Sequence, residues 1–364
     1  MATISFRGVW KKYGDLPAVK DLNIECEDGS FLSILGPSGC GKSSTMRMVA
    51  GLEHITSGDI LFDNQRVNDL APKDRDVAMV FENYALYPHK TVFENMANPL
   101  RLRGQDNARI KERVTSAAKL LEIDHLLERR PQELSGGQKQ RVAIGRAIVR
   151  EPKLFLFDEP IAHLDAKLRA HMRGEIKHLQ RSLGTTMIYV THDQIEAMSM
   201  ADKIAVMYEG ELQQLGTPRE VYNNPVNAWV AGFVGEPAMN FVDCRIVREK
   251  DQVVFSHPDF FISVTPEQAR LLQAKCQADS IRMGVRPDVM EISLEKPKGE
   301  HMTGKIFVLE LLGGDMIVDV DLSDARIRVK TSPDFRAKEG DTCYITVNRE
   351  KWHAFSRDSG MAVF

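Results

Sequence analysis

At 364 residues, 43% of them hydrophobic and 27% charged, the chain has the make-up of a soluble globular protein with two domains. Its net charge of −3 leaves no electrostatic footprint for nucleic acid. Five cysteines, odd in number and without C-x-x-C spacing, point to reduced thiols in a cytosolic protein; the N-terminus carries no signal pattern and no apolar run reaches the roughly 18 residues of a membrane span.

In chain order, MATISFRGVWKKY alternates as a strand, and DGSFLSILGPSG is a strand running into a glycine loop. KSSTMRMVAGL follows as a helix, with Gly51 placed as its C-terminal cap. SGDILFDNQRV reads as a hairpin. Ile110, Val114, Ala117, Ala118 and Leu121 recur at helical spacing and predict an amphipathic helix over 107–122. A further helix surrounds GQKQRVAIGRAIVR. KLFLFDEP is a short apolar run ending in two acids, as a strand buried on both faces would be, and TTMIYVTHD repeats that design. A helix over 166–182 separates the two, and strand, helix, strand at this spacing implies a parallel α/β sheet. From about 236 the character changes to short strands between turns: AMNFVDCRIV, QVVFSH, FFISV, KIFVLELL, DMIVDVDL, RIRVK and TCYITVN. The Gly313-Gly314 step suits a tight hairpin, and the whole stretch reads as a small β-barrel or sandwich.

GPSGCGKS fits G-x-x-x-x-G-K-[ST] on Gly36, Gly41, Lys42 and Ser43. Glycines let backbone N–H groups face phosphates, and the following helix adds its positive end. The nucleotide loop is therefore Gly36, Pro37, Ser38, Gly39, Cys40, Gly41, Lys42, Ser43 and Ser44, with Lys42 reaching the β and γ phosphates and Ser43 ligating Mg²⁺. Cys40 is read as a passive small residue. In LFLFDE, Asp158 stands where it would hold Mg²⁺ and Glu159 where it would polarise an attacking water. His192 closes the neighbouring parallel strand on the same sheet edge. ELSGGQKQR is a second anion-facing helix start, with Ser135 and Gln138 spaced as a capping box and two glycines leaving the backbone uncovered.

Together these motifs resemble the ATP-binding cassette of ABC transporters, and most nearly the ATPase subunits of carbohydrate importers such as the maltose and glycerol-phosphate systems. The likeness covers essentially the whole chain. It implies an α/β P-loop nucleotide-binding domain over 1–235, with a helical subdomain at about 85–150. It also implies an all-β, OB-like regulatory domain of the TOBE or MOP kind over 236–364, in which GVRPDVMEI matches a recurrent segment. In such proteins two cassettes pack head to tail, and each LSGGQ segment caps the γ-phosphate held by the other subunit's loop. Ser135, Gly137 and Gln138 would then belong to the partner's site in a homodimer. The resemblance also implies that Tyr13 stacks on adenine, that Asp165 couples the two sites, and that His192 contacts the γ-phosphate. Residues 84–96 would dock on a permease. The implied activity is ATP hydrolysis with Mg²⁺ at the cytoplasmic face of the bacterial inner membrane. It would drive two integral-membrane permease subunits and, indirectly, a periplasmic or extracellular solute-binding protein. The solute would be a sugar, polyol or sugar derivative. A cassette acting in DNA repair or translation would carry paired cassettes or long coiled-coil insertions, and neither is present. A β domain that makes the protein mainly a regulatory binding module is the remaining rival.

Two positions depart from the family pattern. Glu82 stands where the family usually has a glutamine that ligates Mg²⁺ and senses the γ-phosphate. A carboxylate holds a cation more strongly but repels phosphate and, when ionised, donates no hydrogen bond. In PIAHLDA, where the pattern runs closer to PLSNLDA, His163 replaces a small amide and is read as a plain substitution. Hydrolysis is expected to survive Glu82 with altered metal or pH dependence, so steady-state ATPase profiles of Glu82→Gln across pH should differ from those of the parent; superimposable profiles would remove the idea.

Overall fold

Alternating apolar residues open the chain as β1 (Ile4–Tyr13), which pairs antiparallel with β2 (Leu16–Cys26), a strand that the sequence patterning did not single out. The computed structural model describes residues 2–248 and 252–364. Next come β3 (Phe31–Leu35), α1 (Lys42–Ala50), β4 (Ser57–Phe62), β5 (Gln65–Arg66) and β6 (Val77–Val80). The β4–β5 hairpin turns through Asp63 and Asn64, both at positive φ, the backbone that suits a two-residue hairpin. Three helices follow: α2 (Val92–Leu102), α3 (Asn107–Leu120) and α4 (Gly136–Ile148). α3 buries Ile110, Val114, Ala117 and Ala118, the stripe its 3.6-residue spacing predicts. Then β7 (Leu154–Asp158), α5 (Ala166–Leu183), β8 (Thr186–Thr191), α6 (Gln194–Met200), β9 (Lys203–Tyr208) and β10 (Glu211–Gly216) complete the first part.

Two sheets result. One is antiparallel in the order β2-β1-β4-β5; the other runs β10-β9-β3-β8-β7-β6 and is parallel except at β10. Every residue of β3 and β8 is buried, which explains their largely apolar composition. α1 shares a core with both sheets: Met46 and Val49 pack in one cluster with Ile4, Phe6 and Ile24 and with Leu32, Ile34 and Ile188. Burying such a side chain contributes about 1.5–3 kcal/mol, so the phosphate loop that precedes α1 is anchored on two layers.

The chain divides into Met1–Pro218 and Arg219–Phe364, earlier than the division at 235/236 drawn from composition. The physical reason lies in α7 (Pro218–Asn223) and α8 (Ala228–Phe233). Ala231 packs with Met239 and Phe355, and the Arg286 guanidinium donates to the Tyr222 and Val234 carbonyls. The second unit continues with β11 (Asn240–Arg248), β12 (Val253–His257), β13 (Phe260–Ser263), α9 (Pro266–Lys275), β14 (Ser280–Val285), β15 (Met290–Ser293), β16 (Met302–Leu311), β17 (Met316–Asp321), β18 (Arg326–Thr331), β19 (Thr342–Val347) and β20 (Trp352–Phe355). Two antiparallel sheets, β13-β12-β11-β14-β20 and β15-β19-β16-β17-β18, bury one joint core of which Phe255, Met283, Val318 and Ile345 are members. The Gly313-Gly314 step does form a hairpin, closed by Leu312 N–H donating to Asp315 O at 2.8 Å. α9 was not anticipated among the strands, although Thr265, Pro266 and Gln268 supply its capping box and first-turn proline. All five cysteines are free and buried, and among the described residues no helix is long and apolar enough to cross a membrane.

On β20, burial and the Arg286 guanidinium push His353 down to about 4. An unfolded chain holds such an imidazole near 6.5 and takes up a proton as pH falls below that value, while the fold does not. Stability that is complete above about pH 6.5 is therefore lost down to about pH 4, by up to ~1.4 kcal/mol per pH unit for this one group. Urea unfolding of the full chain across that window should show the loss, and His353→Asn should flatten it.

Candidate active site

Parallel register determines which residues meet. Leu35 lies beside Thr191, Val190 beside Asp158, and Phe157 beside Val80. The residues that leave these strands at their C-terminal ends therefore emerge along one edge: Gly36 after β3, His192 after β8, Asp158 and Glu159 at β7, and Glu82 just past β6. Open parallel sheets bind ligands at this edge.

The phosphate loop curls from β3 into α1. Gly41 has φ 100°, and a Cβ there would be pressed into the Ala18 carbonyl oxygen, so only glycine fits. Lys42 is 5% exposed and donates from Nζ to the Gly36 and Pro37 carbonyls at 2.8 and 2.9 Å, which holds its ammonium inside the curl. Thr45 Oγ1 donates back to Gly41 O at 3.0 Å. Cys40 is buried and burial raises its thiol pKa, which agrees with a passive role.

Ser43 Oγ lies 3.4 Å from Asp158 Oδ1, so two of the three candidate metal ligands face each other. Burial raises the Asp158 pKa; the Ser43 hydrogen bond opposes this, and the charges of Glu159 and Glu82 add to it. Among the described residues no three His, Cys, Asp or Glu side chains gather as a metal cage. A cation at Ser43 and Asp158 would then take its other ligands from Glu82, phosphate and water, in the way of Mg²⁺ sites. Glu159 adopts φ 45°, a left-handed backbone that costs energy outside glycine and recurs at functional sites. Its N–H donates to Val190 O at 3.0 Å, and its Oε2 meets His192 Nδ1 at 2.9 Å. The residue expected to polarise the attacking water and the one expected to contact the γ-phosphate are thus in contact.

Glu82 has a different neighbour. Its Oε1 is 3.2 Å from Nε2 of His163, the other residue that departs from the family pattern. Asp165 caps α5, accepting from Leu168 N–H at 3.0 Å. Ser135 and Gln138 close the expected capping box on α4. Gly137, however, is buried: a Cβ there would stand 2.8 Å from Leu168 Cδ2, so its bare backbone serves packing against α5. Among the described residues, neither Ser135 nor Gln138 hydrogen-bonds to the phosphate loop of the same chain. Tyr13 is 46% exposed; its hydroxyl is tied to Glu53 and lies 3.2 Å from Ser44 Oγ. Burial raises its pKa, with the Glu53 hydrogen bond adding to the effect.

Sequence reasoning missed the residues that hold these loops. Arg169 donates to the Ala162 and Leu164 carbonyls and pairs with Asp193 at 3.4 Å. Arg146, on the helix that begins with LSGGQ, donates to the Ala85 and Tyr84 carbonyls, where both residues have positive φ. Asn95 is fully buried and binds backbone at Tyr87, Lys90 and Thr91, fixing the segment 84–96. A cleft of about 310 Å³ opens beside that segment, lined by Met79, Phe81, Tyr87, Pro99, Leu102 and Arg150 among others. No local motif marks Arg169, Arg146 or Asn95; their partners are carbonyls, which any sequence supplies.

Residues 19–162 match the ABC transporter family, and residues 235–290 match the MalK OB fold domain. The chain is 46% identical to the sulfoquinovosyl glycerol transport ATP-binding protein of Agrobacterium fabrum, over 98% of each chain. It is 45% identical to the trehalose/maltose import ATP-binding protein of Thermococcus litoralis, over 100% of each. Among solved structures, the dimeric bacterial ABC transporter cassette MJ0796 aligns with a TM-score of 0.54 at 31% identity, covering 59% of this chain and 99% of that one. The same cassette is also known in a post-hydrolysis state bound to ADP and phosphate.

Gly41→Ala should collapse the loop without unfolding the protein: a strained backbone and an overpacked contact cost about 2 kcal/mol or more. Titration with a fluorescent ATP analogue is expected to show binding lost, with the thermal transition lowered but still cooperative.

Proposed function

The chain belongs to the ATP-binding subunits of ABC transporters and hydrolyses ATP, and from that premise we propose that it energises an importer of a sugar, polyol or sugar derivative. Two copies close head to tail on two nucleotides. In each site the amides of Gly36–Ser44 and the Lys42 ammonium hold the phosphates, and Ser135, Gly137 and Gln138 of the opposite copy complete the cradle. A glycine-rich helix start suits that task because its N–H groups and dipole face an anion. ATP held between two such positive ends acts as an adhesive, and losing the γ-phosphate removes the anion that joins them.

The single observation that carries the reading is the Glu159–His192 contact at the end of β7, next to the Ser43–Asp158 pair. Glu159 accepts the proton of the attacking water. His192 engages Glu159 through Nδ1, which orients the carboxylate and leaves Nε2 for the phosphate. Mg²⁺, held by Ser43, Asp158 and Glu82, supplies charge neutralisation at the phosphate oxygens. Tyr13 offers an exposed ring for adenine, and Asp165 links its own site to the second one through the start of α5.

Coupling to the membrane runs through residues 84–96. The cleft beside them, with apolar walls and two arginines, would take a short helix of one permease subunit, and the same cleft in the second copy that of the other. The protein then sits peripherally on the cytoplasmic face, and a solute-binding protein on the other side acts only through the permease. The named relatives, whose names give sulfoquinovosyl glycerol and trehalose/maltose as what they transport or import, support a carbohydrate-type solute.

Glu159→Gln keeps the shape of the side chain and removes its basicity. It should lower ATP turnover by about 10²–10⁴-fold and trap an ATP-dependent dimer visible by light scattering. A monomer at saturating ATP in that variant would sink the sandwich.

A further inference from the structure

The two departures from the family pattern meet each other. His163 Nε2 lies 3.2 Å from Glu82 Oε1, and among the described residues no other side chain pairs with Glu82. Both side chains are more than half exposed, at 59% and 53%, so their contact is not imposed by core packing. Each is presented from a fixed backbone. β6 is the edge strand of its sheet, and the turn that follows Glu82 is clamped by Arg146 at Tyr84 and Ala85. On the other side, His163 sits between Ala162 and Leu164, whose carbonyls both accept from Arg169, while Ile161 and Leu164 are buried anchors.

A glutamine amide presents one acceptor oxygen and one donor N–H. A carboxylate presents two acceptor oxygens and adds a charge beside Asp158 and Glu159, whose own carboxyls already crowd this edge. The His163 ring, with Nε2 3.2 Å from one of those oxygens, occupies the space beside the surplus acceptor, restricts the rotamer, and leaves the other oxygen to face the cation. We propose that His163 is a positioning residue for Glu82, and that the pair together does what one glutamine does elsewhere in the family. The inference rests on the reading of Glu82 as a ligand to the nucleotide-bound cation. It predicts that the two positions can be exchanged together more safely than singly.

A double-mutant cycle on the full chain tests this with His163→Asn, Glu82→Gln and the double variant. His163→Asn alone should lower kcat about 5-fold with little change in KM, whereas in the Glu82→Gln background its effect should shrink to less than about 1.5-fold. His163→Gln, whose amide reaches one methylene further than that of Asn toward Glu82, should recover most of the loss. A readout independent of turnover uses the Glu159→Gln background: Mn²⁺ affinity of the ATP-loaded protein, measured by electron paramagnetic resonance. His163→Asn should weaken it about 5-fold when Glu82 is intact and leave it unchanged once Glu82→Gln is also present. Effects that simply multiply, with Mn²⁺ affinity still sensitive to Glu82→Gln, overturn the pairing alone. Mn²⁺ affinity indifferent to Glu82→Gln overturns the ligand reading and the pairing with it.

Discussion

The structure depends on the parallel register of four strands. Because β3, β8, β7 and β6 run the same way and start in step, their C-terminal ends deliver the phosphate loop, His192, the Asp158-Glu159 pair and Glu82 to a single edge. A slip of one residue in β7 would send Asp158 to the opposite face, since side chains alternate with period two. The unbroken burial of β3 and β8 makes such a slip costly, because apolar residues on both faces would lose their partners. Site geometry is thus a by-product of core packing.

Around that rigid edge, the loops are held by side chains that bind backbone. Lys42 donates to two carbonyls of its own loop, Arg169 to two beside His163, and Arg146 to two in the turn past Glu82. Each cation satisfies acceptors in irregular backbone that would otherwise need water. It also ties a loop to a helix: Arg146 connects α4, which begins at the LSGGQ segment, to the segment proposed to face the permease. Arg146 is thus the direct physical link between α4 and residues 84 and 85.

Much of this was legible from sequence, and the reasons are local. The phosphate loop announces itself because glycine, lysine and serine are needed at fixed spacing, and the capping box of Ser135 and Gln138 follows the same logic. The parallel sheet was readable from apolar runs ending in acids. β2 was missed because Leu16–Cys26 mixes buried and exposed positions around Pro17 and Asp21, the latter at positive φ. α9 was missed because a strand-rich neighbourhood outweighed a capping signal that was present. The earlier division at 218/219 could not be read, since it follows from Arg286 reaching carbonyls more than fifty residues upstream. His163 was read as a plain substitution because its contact with Glu82 is made by residues remote in sequence and adjacent only in the fold.

The electrostatics of the edge follow from these placements. Glu82, Asp158 and Glu159 bring three carboxyls near a site meant for a polyphosphate, and Asp158 carries the cost as a raised pKa caused first by burial. Alone, the acids repel both one another and the nucleotide. Lys42, the amides of the loop and the start of α1 attract the phosphates, but they lie on the β3 side of the edge. A divalent cation at Ser43 and Asp158 would let the acidic side and the phosphates approach. On that reading, opposite charges gathered on one edge would make nucleotide and metal mutually dependent. A site with the acids replaced by neutral groups would bind phosphate without that requirement, and would lose the base that the water step needs.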